Sequence, residues 1–164
     1  MTELGKALIE DVHRRVVTGY PAQVRASLAA LRDEQVWWRP HPTSNSVGNL
    51  VLHTCGSTRH FLGRGLGGSS YRRDRPREFA ETGLPRPELL AVLEETVAEA
   101  ERVLSALDPA RLLEVTDRAG EPQSALALLL RTAHHWGVHT GQIVFATKAF
   151  KEGAFDDLWM KTMR

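Results

Sequence analysis

Apolar residues along the chain recur every three or four positions, and no stretch alternates between apolar and polar residues over the length of a strand. This spacing predicts amphipathic helices. The first helical stripe is interrupted at residues 18–21 and runs through Leu4, Leu8, Val12, Val16, Val24, Leu28 and Leu31. Because Pro21 fits the first turn of a new helix but breaks an established one, residues 3–33 are predicted to form two helices or one kinked helix.

Residues 39–46 contain two prolines and several residues of the kind that cap helices. They predict a loop that ends in an N-cap at Ser44 or Asn45, followed by a second helix from Ser46 to about Leu62. Residues 63–87 are rich in glycine and charge. They predict a long loop between helices two and three, of a length that is typical of functional or mobile segments.

The third helix is predicted to begin at Pro87 and to stop at Asp108 and Pro109, because its apolar stripe is continuous between these points. A connector then contains a short helical turn or a small hairpin around residues 116–120. The fourth helix runs from about Gln123 to Ala149. Beyond it lies a tail whose Phe155 and Trp159 are expected to pack back on the protein.

Four long amphipathic segments joined by polar loops predict an all-α, antiparallel up-and-down four-helix bundle that forms a single domain over residues 1–164. The 21 basic and 20 acidic residues nearly cancel, so the charge gives no reason to expect nucleic acid or a membrane as a partner. The single cysteine, Cys55, allows no disulfide within the chain and favours a reducing cytoplasm.

Three of the seven histidines lie together in HHWGVHTGQI, residues 134–143. His135 and His139 are four positions apart, so on a helix they are separated by about 40° in direction and by about 6 Å along the axis. This is the spacing by which one helix offers two imidazoles to one metal ion. His134 is turned about 100° from His135, and it is expected at the edge of the bundle or at an interface.

A metal site of this kind needs a third ligand from another helix, and His53 is the best candidate because it lies in the apolar middle of helix two. His60, seven residues later on the same face, is an alternative ligand or a group behind the ligands. His13 and His41 are assigned to the surface. The spacing alone also allows a hydrogen-bonded pair of core histidines, and no glutamate completes a zinc-protease motif.

The segments SNSVGNLVLHTCGSTRHFL and HHWGVHTGQIVFATK, with WWRP before them and LDPARLLE between them, resemble the DinB/YfiT-like superfamily. The likeness extends from about Leu4 to Lys148 and is nearest to the DUF1572-type branch. It implies a four-helix bundle that holds one divalent metal ion on three histidines, which are His53, His135 and His139 in this chain. At the position of His60 the branch more often has a polar amide.

A three-histidine site accepts Zn, Ni, Fe, Co or Mn and acts as a Lewis acid. The resemblance implies a hydrolase, or a transferase that uses a low-molecular-weight thiol, acting on a small molecule. Arg131 could hold an anionic substrate group or simply be a surface residue, and Gln142 could orient a ligand. Cys55 is expected to point into the core, away from the site, and Gly141 to allow close helix packing.

Two alternatives remain open from the sequence. The metal could tie helices two and four together without catalysis, or the protein could be a helical interaction protein with a vestigial site. A homodimer is compatible with each of these functions. Trp136 and Trp159 are candidates for its interface, although packing in the core is the commoner fate of a tryptophan. The loop at residues 63–87 is expected to cover the open end of the site.

Overall fold

The helical stripes form four long rods in a computed structural model, which describes residues 2–151. The first rod consists of α1 (Thr2–His13), a π-helical stretch (Arg14–Gly19) and α2 (Tyr20–Ala30). A single short helix, α3 (Asp33–Val36), follows it. The other rods are α4 (Val47–Thr58) with its π-helical extension (Arg59–Leu66), α6 (Arg86–Ser105) and α7 (Ala125–Lys148). The predicted all-α bundle is confirmed.

Shorter elements connect the rods. Between the second and third rods lies α5 (Arg75–Ala80), and between the third and fourth lie a 3-10 turn (Pro109–Arg111) and a two-stranded hairpin. The hairpin pairs β1 (Val115–Thr116) antiparallel with β2 (Gln123–Ser124), so the connector contains both the helical turn and the hairpin that were left as alternatives.

The first rod is one continuous helix with a wide turn in it. Pro21 has no N–H to donate back along the helix, and just before it the N–H of Tyr20 donates to the carbonyl of Arg15, five residues earlier. The kinked-helix alternative therefore describes this segment. The π-helical turn precedes the proline, and the apolar stripe is buried on both sides of it, at Val12 and Val16 before the proline and at Val24 and Leu28 after it, whereas Leu4 is exposed.

The N-cap of α4 is Ser46, so the predicted cap at Ser44 or Asn45 was wrong by one or two residues. The Ser46 hydroxyl accepts a hydrogen bond from the N–H of Asn49 at 3.1 Å, and the N–H of Ser46 donates to Asn49 Oδ1 at 3.3 Å. This reciprocal capping box requires a side chain with an acceptor three residues after the cap. Asn49 provides that acceptor only when Ser46 is the cap.

The segment predicted as one long loop, residues 63–87, is also corrected. The π-helical extension of α4 continues to Leu66, and α5 lies inside the segment, with Pro76 in its first turn. Asp74 caps α5 by accepting a hydrogen bond from the N–H of Arg77 at 3.2 Å. α5 packs directly on α4, which brings the middle of this segment against the core.

The core lies where the rods meet, with α4 in contact with both α6 and α7 and with α2 packed on α7. Its largest fully buried side chains are Trp136, Leu28, Leu31, Leu62, Leu89, Leu93, Leu104, Leu128, Leu129 and Ile143. Trp136 is 1% exposed and donates its indole N–H to Thr58 Oγ1 at 2.9 Å, so it is a core residue and not an interface residue.

Gly141 lies on the exposed side of α7, and a Cβ there would meet nothing within 4 Å. The expectation that it allows close helix packing was therefore wrong for this chain. Phe155 and Trp159 lie outside the described residues. Among residues 2–151, no helix has the combined length and apolarity that spanning a membrane requires.

Candidate metal centre

His53 of α4 and two histidines of α7 bring their Nε2 atoms together between the two helices. The Nε2 atom of His135 lies 3.0 Å from that of His53 and 3.1 Å from that of His139. The candidate ligand atoms of all three residues lie within 4.8 Å of one another, and His53 itself is buried. The group could hold a metal ion.

The outer nitrogens of two of these rings, the Nδ1 atoms, have partners that can accept a hydrogen bond. Nδ1 of His53 lies 2.9 Å from Glu78 Oε2, and Nδ1 of His139 lies 2.7 Å from Gln142 Oε1. If both Nδ1 atoms donate, both Nε2 atoms carry lone pairs directed at His135. One proton on His135 could satisfy only one of these contacts. A cation at the shared point would satisfy all three lone pairs, so the donor set fits a metal ion.

The surroundings favour neutral imidazoles on α7. Burial, followed by the nearby His139 and His53 and by two arginines, lowers the pKa of His135 to about 3. Burial also lowers the pKa of His139, although its hydrogen bond to Gln142 partly opposes this. Since a metal binds the neutral form of histidine, these two ligands need not lose a proton near neutral pH.

Glu78 and Arg73, which sequence reasoning did not identify, complete the site from the segment that was predicted as a loop. Arg73 forms a bidentate ion pair with Glu78, in which Nε donates to Oε1 at 2.7 Å and Nη2 donates to Oε2 at 2.8 Å. Burial alone would raise the pKa of Glu78, but the hydrogen bonds from His53 and Arg73 outweigh it and lower this pKa. A buried carboxylate therefore stays charged beside His53.

Gly56 makes room for this carboxylate. It lies one turn after His53 on α4, and a Cβ at this position would collide with Oε1 of Glu78. Asn49, one turn before His53, donates to the carbonyls of Glu78 at 3.1 Å and Glu81 at 2.8 Å. A glycine inside an apolar helix was thus a sequence signal of a close approach, but it did not reveal which residue approaches.

Residues 19–143 match the family model of the DinB superfamily. The chain belongs to the DinB superfamily. The matched residues include all three converging histidines, and the match covers most of the chain, as the resemblance of the motifs implied. Nothing in the match distinguishes the DUF1572-type branch, which stays a prediction.

Two crystal structures of DinB-like proteins share the fold of this DinB-superfamily chain. One, from Bacillus cereus ATCC 10987, is 16% identical with a TM-score of 0.63, covering 81% of this chain and 87% of that one. The other, YjoA from Bacillus subtilis, is 18% identical with a TM-score of 0.64, covering 87% of this chain and 94% of that one. No curated protein matches the chain.

The remaining candidates of this DinB-superfamily site lie at different distances from it. Gln142 is in direct contact with His139, as the role of orienting a ligand requires. Arg131 lies one turn before His135 on α7, and its guanidinium carbon stacks 4.1 Å from the centre of the Phe61 ring. His134 is exposed, next to the site in sequence but outside it.

His60 does not reach the cluster. Seven helical residues separate it from His53 by about 10 Å along the axis, which is too far for two ligands of one ion. Its Nε2 lies 3.0 Å from the carbonyl oxygen of Ala119 in the turn of the hairpin. Its Nδ1 is buried and has no hydrogen-bond partner among the described residues. His60 therefore lies too far from the cluster to be an alternative ligand or a group behind the ligands, and this interpretation was wrong.

Cys55 is buried in the core next to α6, as predicted. Burial raises the pKa of its thiol to about 12, although a hydrogen bond with Thr96 acts in the opposite direction. The thiolate, which is the reactive form of cysteine, is therefore scarce near neutral pH. The other two histidines assigned to the surface are partly exposed or exposed, and His13 contacts Glu101 at 2.6 Å.

Proposed function

We propose that this protein binds one divalent metal ion through His53, His135 and His139 and uses it to act on a small molecule. The convergence of three Nε2 atoms, two of them with an acceptor behind the ring, carries the proposal. When bound, such an ion supplies Lewis acidity, which lowers the pKa of a water molecule or polarises a substrate atom. Imidazole ligands suit Zn, Ni, Fe, Co or Mn.

Arg131 is the residue that we propose to bind an anionic group of the substrate. It projects from the same face of α7 as His135, one turn away, and it is exposed. Its stacking on the Phe61 ring restricts the guanidinium, and within residues 2–151 no hydrogen bond occupies its N–H groups, which can therefore donate to a substrate. Binding would thus place the reacting part of the substrate near the three imidazoles.

Two reaction classes are compatible with this site, namely hydrolysis and transfer to or from a low-molecular-weight thiol. The chain's own thiol is no substitute in the second class, because Cys55 is buried with a pKa of about 12. The thiol would therefore come from solution as a second substrate. A single buried cysteine also agrees with the reducing cytoplasm, which we propose as its compartment.

Elemental analysis of the protein, purified without chelator and without a nickel affinity column, tests the metal proposal. We expect close to one divalent ion per chain. His53→Ala, His135→Ala and His139→Ala should each abolish retention of the ion, whereas His134→Ala, in the adjacent exposed position, should retain it. Background metal levels in the unmodified protein, or equal retention by all variants, would contradict the proposal.

A second function is favoured by the placement of the ligands on two different helices. An ion shared by His53 of α4 and two histidines of α7 would cross-link them and stabilise the bundle without catalysis. In this case chelation should lower the melting temperature strongly, and no substrate should be turned over by the metal-loaded protein. Turnover of phosphate or carboxylate esters, lost in Arg131→Met with the metal retained, would favour the enzyme.

We also propose a homodimer, formed through the outer face of α7. Leu130, Val138 and Phe145 lie on this face and are 51%, 44% and 80% exposed. Replacing Phe145 by Lys should convert a dimer to a monomer in light scattering. Leu113→Lys changes an equally apolar residue, 67% exposed but outside α7, and should leave the dimer intact. A monomeric unmodified protein would contradict the proposal.

A further inference from the structure

Nδ1 of His53 contacts two groups with opposite hydrogen-bonding character. Glu78 Oε2, which can only accept while ionised, lies 2.9 Å away, and Arg73 Nη2, which can only donate, lies 3.1 Å away. One nitrogen of a neutral imidazole either carries a proton or offers a lone pair. His53 can therefore satisfy one of these neighbours at a time, and each choice corresponds to one tautomer.

The two tautomers differ at the opposite nitrogen, which faces the other histidines. When Nδ1 donates to Glu78, Nε2 keeps its lone pair and can bind a metal. When Nδ1 accepts from Arg73, the proton lies on Nε2, which is 3.0 Å from Nε2 of His135 and can donate to it. The second tautomer closes the three-histidine group with an internal hydrogen bond and excludes a metal from His53.

Glu78 favours the first tautomer in two ways. Its carboxylate forms a charge-assisted hydrogen bond with Nδ1–H, which is stronger than one between neutral groups. It also binds Arg73 at both oxygens, with Nε and Nη2 at 2.7 and 2.8 Å, and therefore competes with the imidazole for the hydrogens of Nη2. The ion pair is largely shielded from solvent, with the Arg73 and Glu78 side chains 14% and 8% exposed.

We propose that Glu78 is a positioning residue for the metal: it accepts a hydrogen bond from Nδ1–H of His53 and competes with that nitrogen for the hydrogens of Arg73 Nη2. Arg73 thereby has two opposite roles. It clamps Glu78 while the carboxylate is present, and it stabilises the wrong tautomer of His53 when the carboxylate is removed. This inference rests on the proposed function, because it explains how His53, one of the three proposed metal ligands, is kept in the tautomer that binds the ion.

Zinc affinity, measured by competition with a chelating indicator, tests these roles in four proteins. Glu78→Ala should bind Zn²⁺ roughly 10- to 100-fold more weakly than the unmodified chain. Arg73→Met alone should also weaken binding, because Glu78 loses its clamp. In the Glu78→Ala background, however, Arg73→Met should strengthen binding, because the competing donor is removed. A further loss in the double variant, or no change, would overturn the proposal.

Nitrogen NMR of the metal-free protein gives an independent readout. The long-range ¹H–¹⁵N spectrum distinguishes a protonated ring nitrogen from one with a lone pair, and it is recorded above the ordinary histidine pKa of about 6.5. We expect His53 to carry its proton on Nδ1 in the unmodified chain and on Nε2 in Glu78→Ala. An Nε2 proton in the unmodified chain, or the same tautomer in both, would refute the role of Glu78.

A second buried glutamate provides the matched control. Glu99 pairs with Arg59 at 3.1 Å and lies against Gly63, which follows Gly56 by seven residues. A Cβ at Gly63 would collide with the Glu99 carboxylate, just as a Cβ at Gly56 would collide with Glu78. Glu99→Ala should perturb the bundle to a similar degree but leave the zinc affinity and the His53 tautomer unchanged. An equal loss of zinc affinity in Glu99→Ala would show that Glu78 acts only by stabilising the fold, which would contradict the proposal.

Glu78→Gln keeps the proposal testable if the alanine variant fails to fold. Its amide oxygen can still accept from Nδ1–H, but without a charge, so we expect an affinity between those of the unmodified chain and Glu78→Ala. The tautomer is read without metal. Failure of the proposed function would therefore show as absence of zinc binding in the unmodified chain, whereas failure of this inference would show in its NMR spectrum.

Discussion

Gln142 Oε1 lies 2.7 Å from Nδ1 of His139, and both residues belong to α7. The histidine and the group that orients it are therefore held by the same rigid helix, three residues apart. His53 is oriented differently, because its partner Glu78 comes from α5, 25 residues further along the chain. One ligand is held by local helix geometry and another by the docking of a separate short helix.

The Gln142 contact predicts a selective effect on metal binding. Gln142→Ala should weaken zinc binding roughly tenfold, at the low end of the range for such partners, because the side chain is exposed. Gln142→Glu keeps an acceptor and adds a negative charge, so its affinity should equal or exceed that of the unmodified chain. Competition with an indicator measures both. Equal weakening by Ala and Glu would show that the acceptor is irrelevant.

The local part of the site could be predicted from sequence for a simple reason. Residues 135, 139 and 142 share one face because helical periodicity fixes the angles between them, and no tertiary information is needed. His53 could be predicted because a histidine within an apolar helix must be partly buried. His60 was misjudged because the same periodicity gives a direction, while the axial distance and the carbonyl of Ala119 decide where the ring lies.

Arg73 and Glu78 could not be predicted, because their segment has no helical periodicity and α5 is only six residues long. What fixes its place is a set of contacts with α4, including the bonds from Asn49 to the carbonyls of Glu78 and Glu81. Such contacts leave no pattern in a single sequence. The bundle itself could be predicted because four long apolar stripes have few other ways to be buried.

Two glycines of the long helices should respond to alanine in opposite directions. Gly56→Ala places a Cβ against Glu78 Oε1, so we expect unfolding free energy to fall by about 1–3 kcal/mol through overpacking. Zinc affinity should fall with it. Gly141→Ala meets nothing within 4 Å on an exposed helix and should raise the unfolding free energy by about 0.5–1 kcal/mol.

Denaturant unfolding of the metal-free proteins measures both changes, and the indicator assay measures affinity. Because the two substitutions are chemically identical, the contrast depends on the surroundings alone. If Gly56→Ala were neutral for both stability and zinc binding, the close approach of Glu78 to α4 would be disproved.

Cys55 should be inert toward thiol reagents in the folded protein. The side chain is buried and burial raises its pKa to about 12, so both access and the thiolate fraction are low. We expect negligible reaction with a disulfide reagent near neutral pH and one equivalent per chain after denaturation. Rapid labelling of the native protein would contradict its assignment to the core.

His60 should make the protein less stable in acid. Burial lowers its pKa in the folded state, with three nearby arginines acting in the same direction and the bond to Ala119 opposing them. In the unfolded chain its pKa is about 6.5. As pH falls below this value the unfolded state gains a proton that the folded state does not bind, so folding stability decreases. Above it, His60 is neutral in both states and contributes no pH dependence.

His60→Gln keeps a donor for the Ala119 carbonyl but cannot titrate. The difference in unfolding free energy between the two proteins should be constant above about pH 7.5, one unit over the unfolded pKa. Below that pH it should shift in favour of the variant as the medium becomes more acidic.

His135 and His139, whose pKa values are also lowered, add a similar slope to both curves, and taking the difference between the two proteins removes it. Measurements are made with chelator present. A difference that stays flat from neutral to acid would show that His60 is not held neutral by its burial.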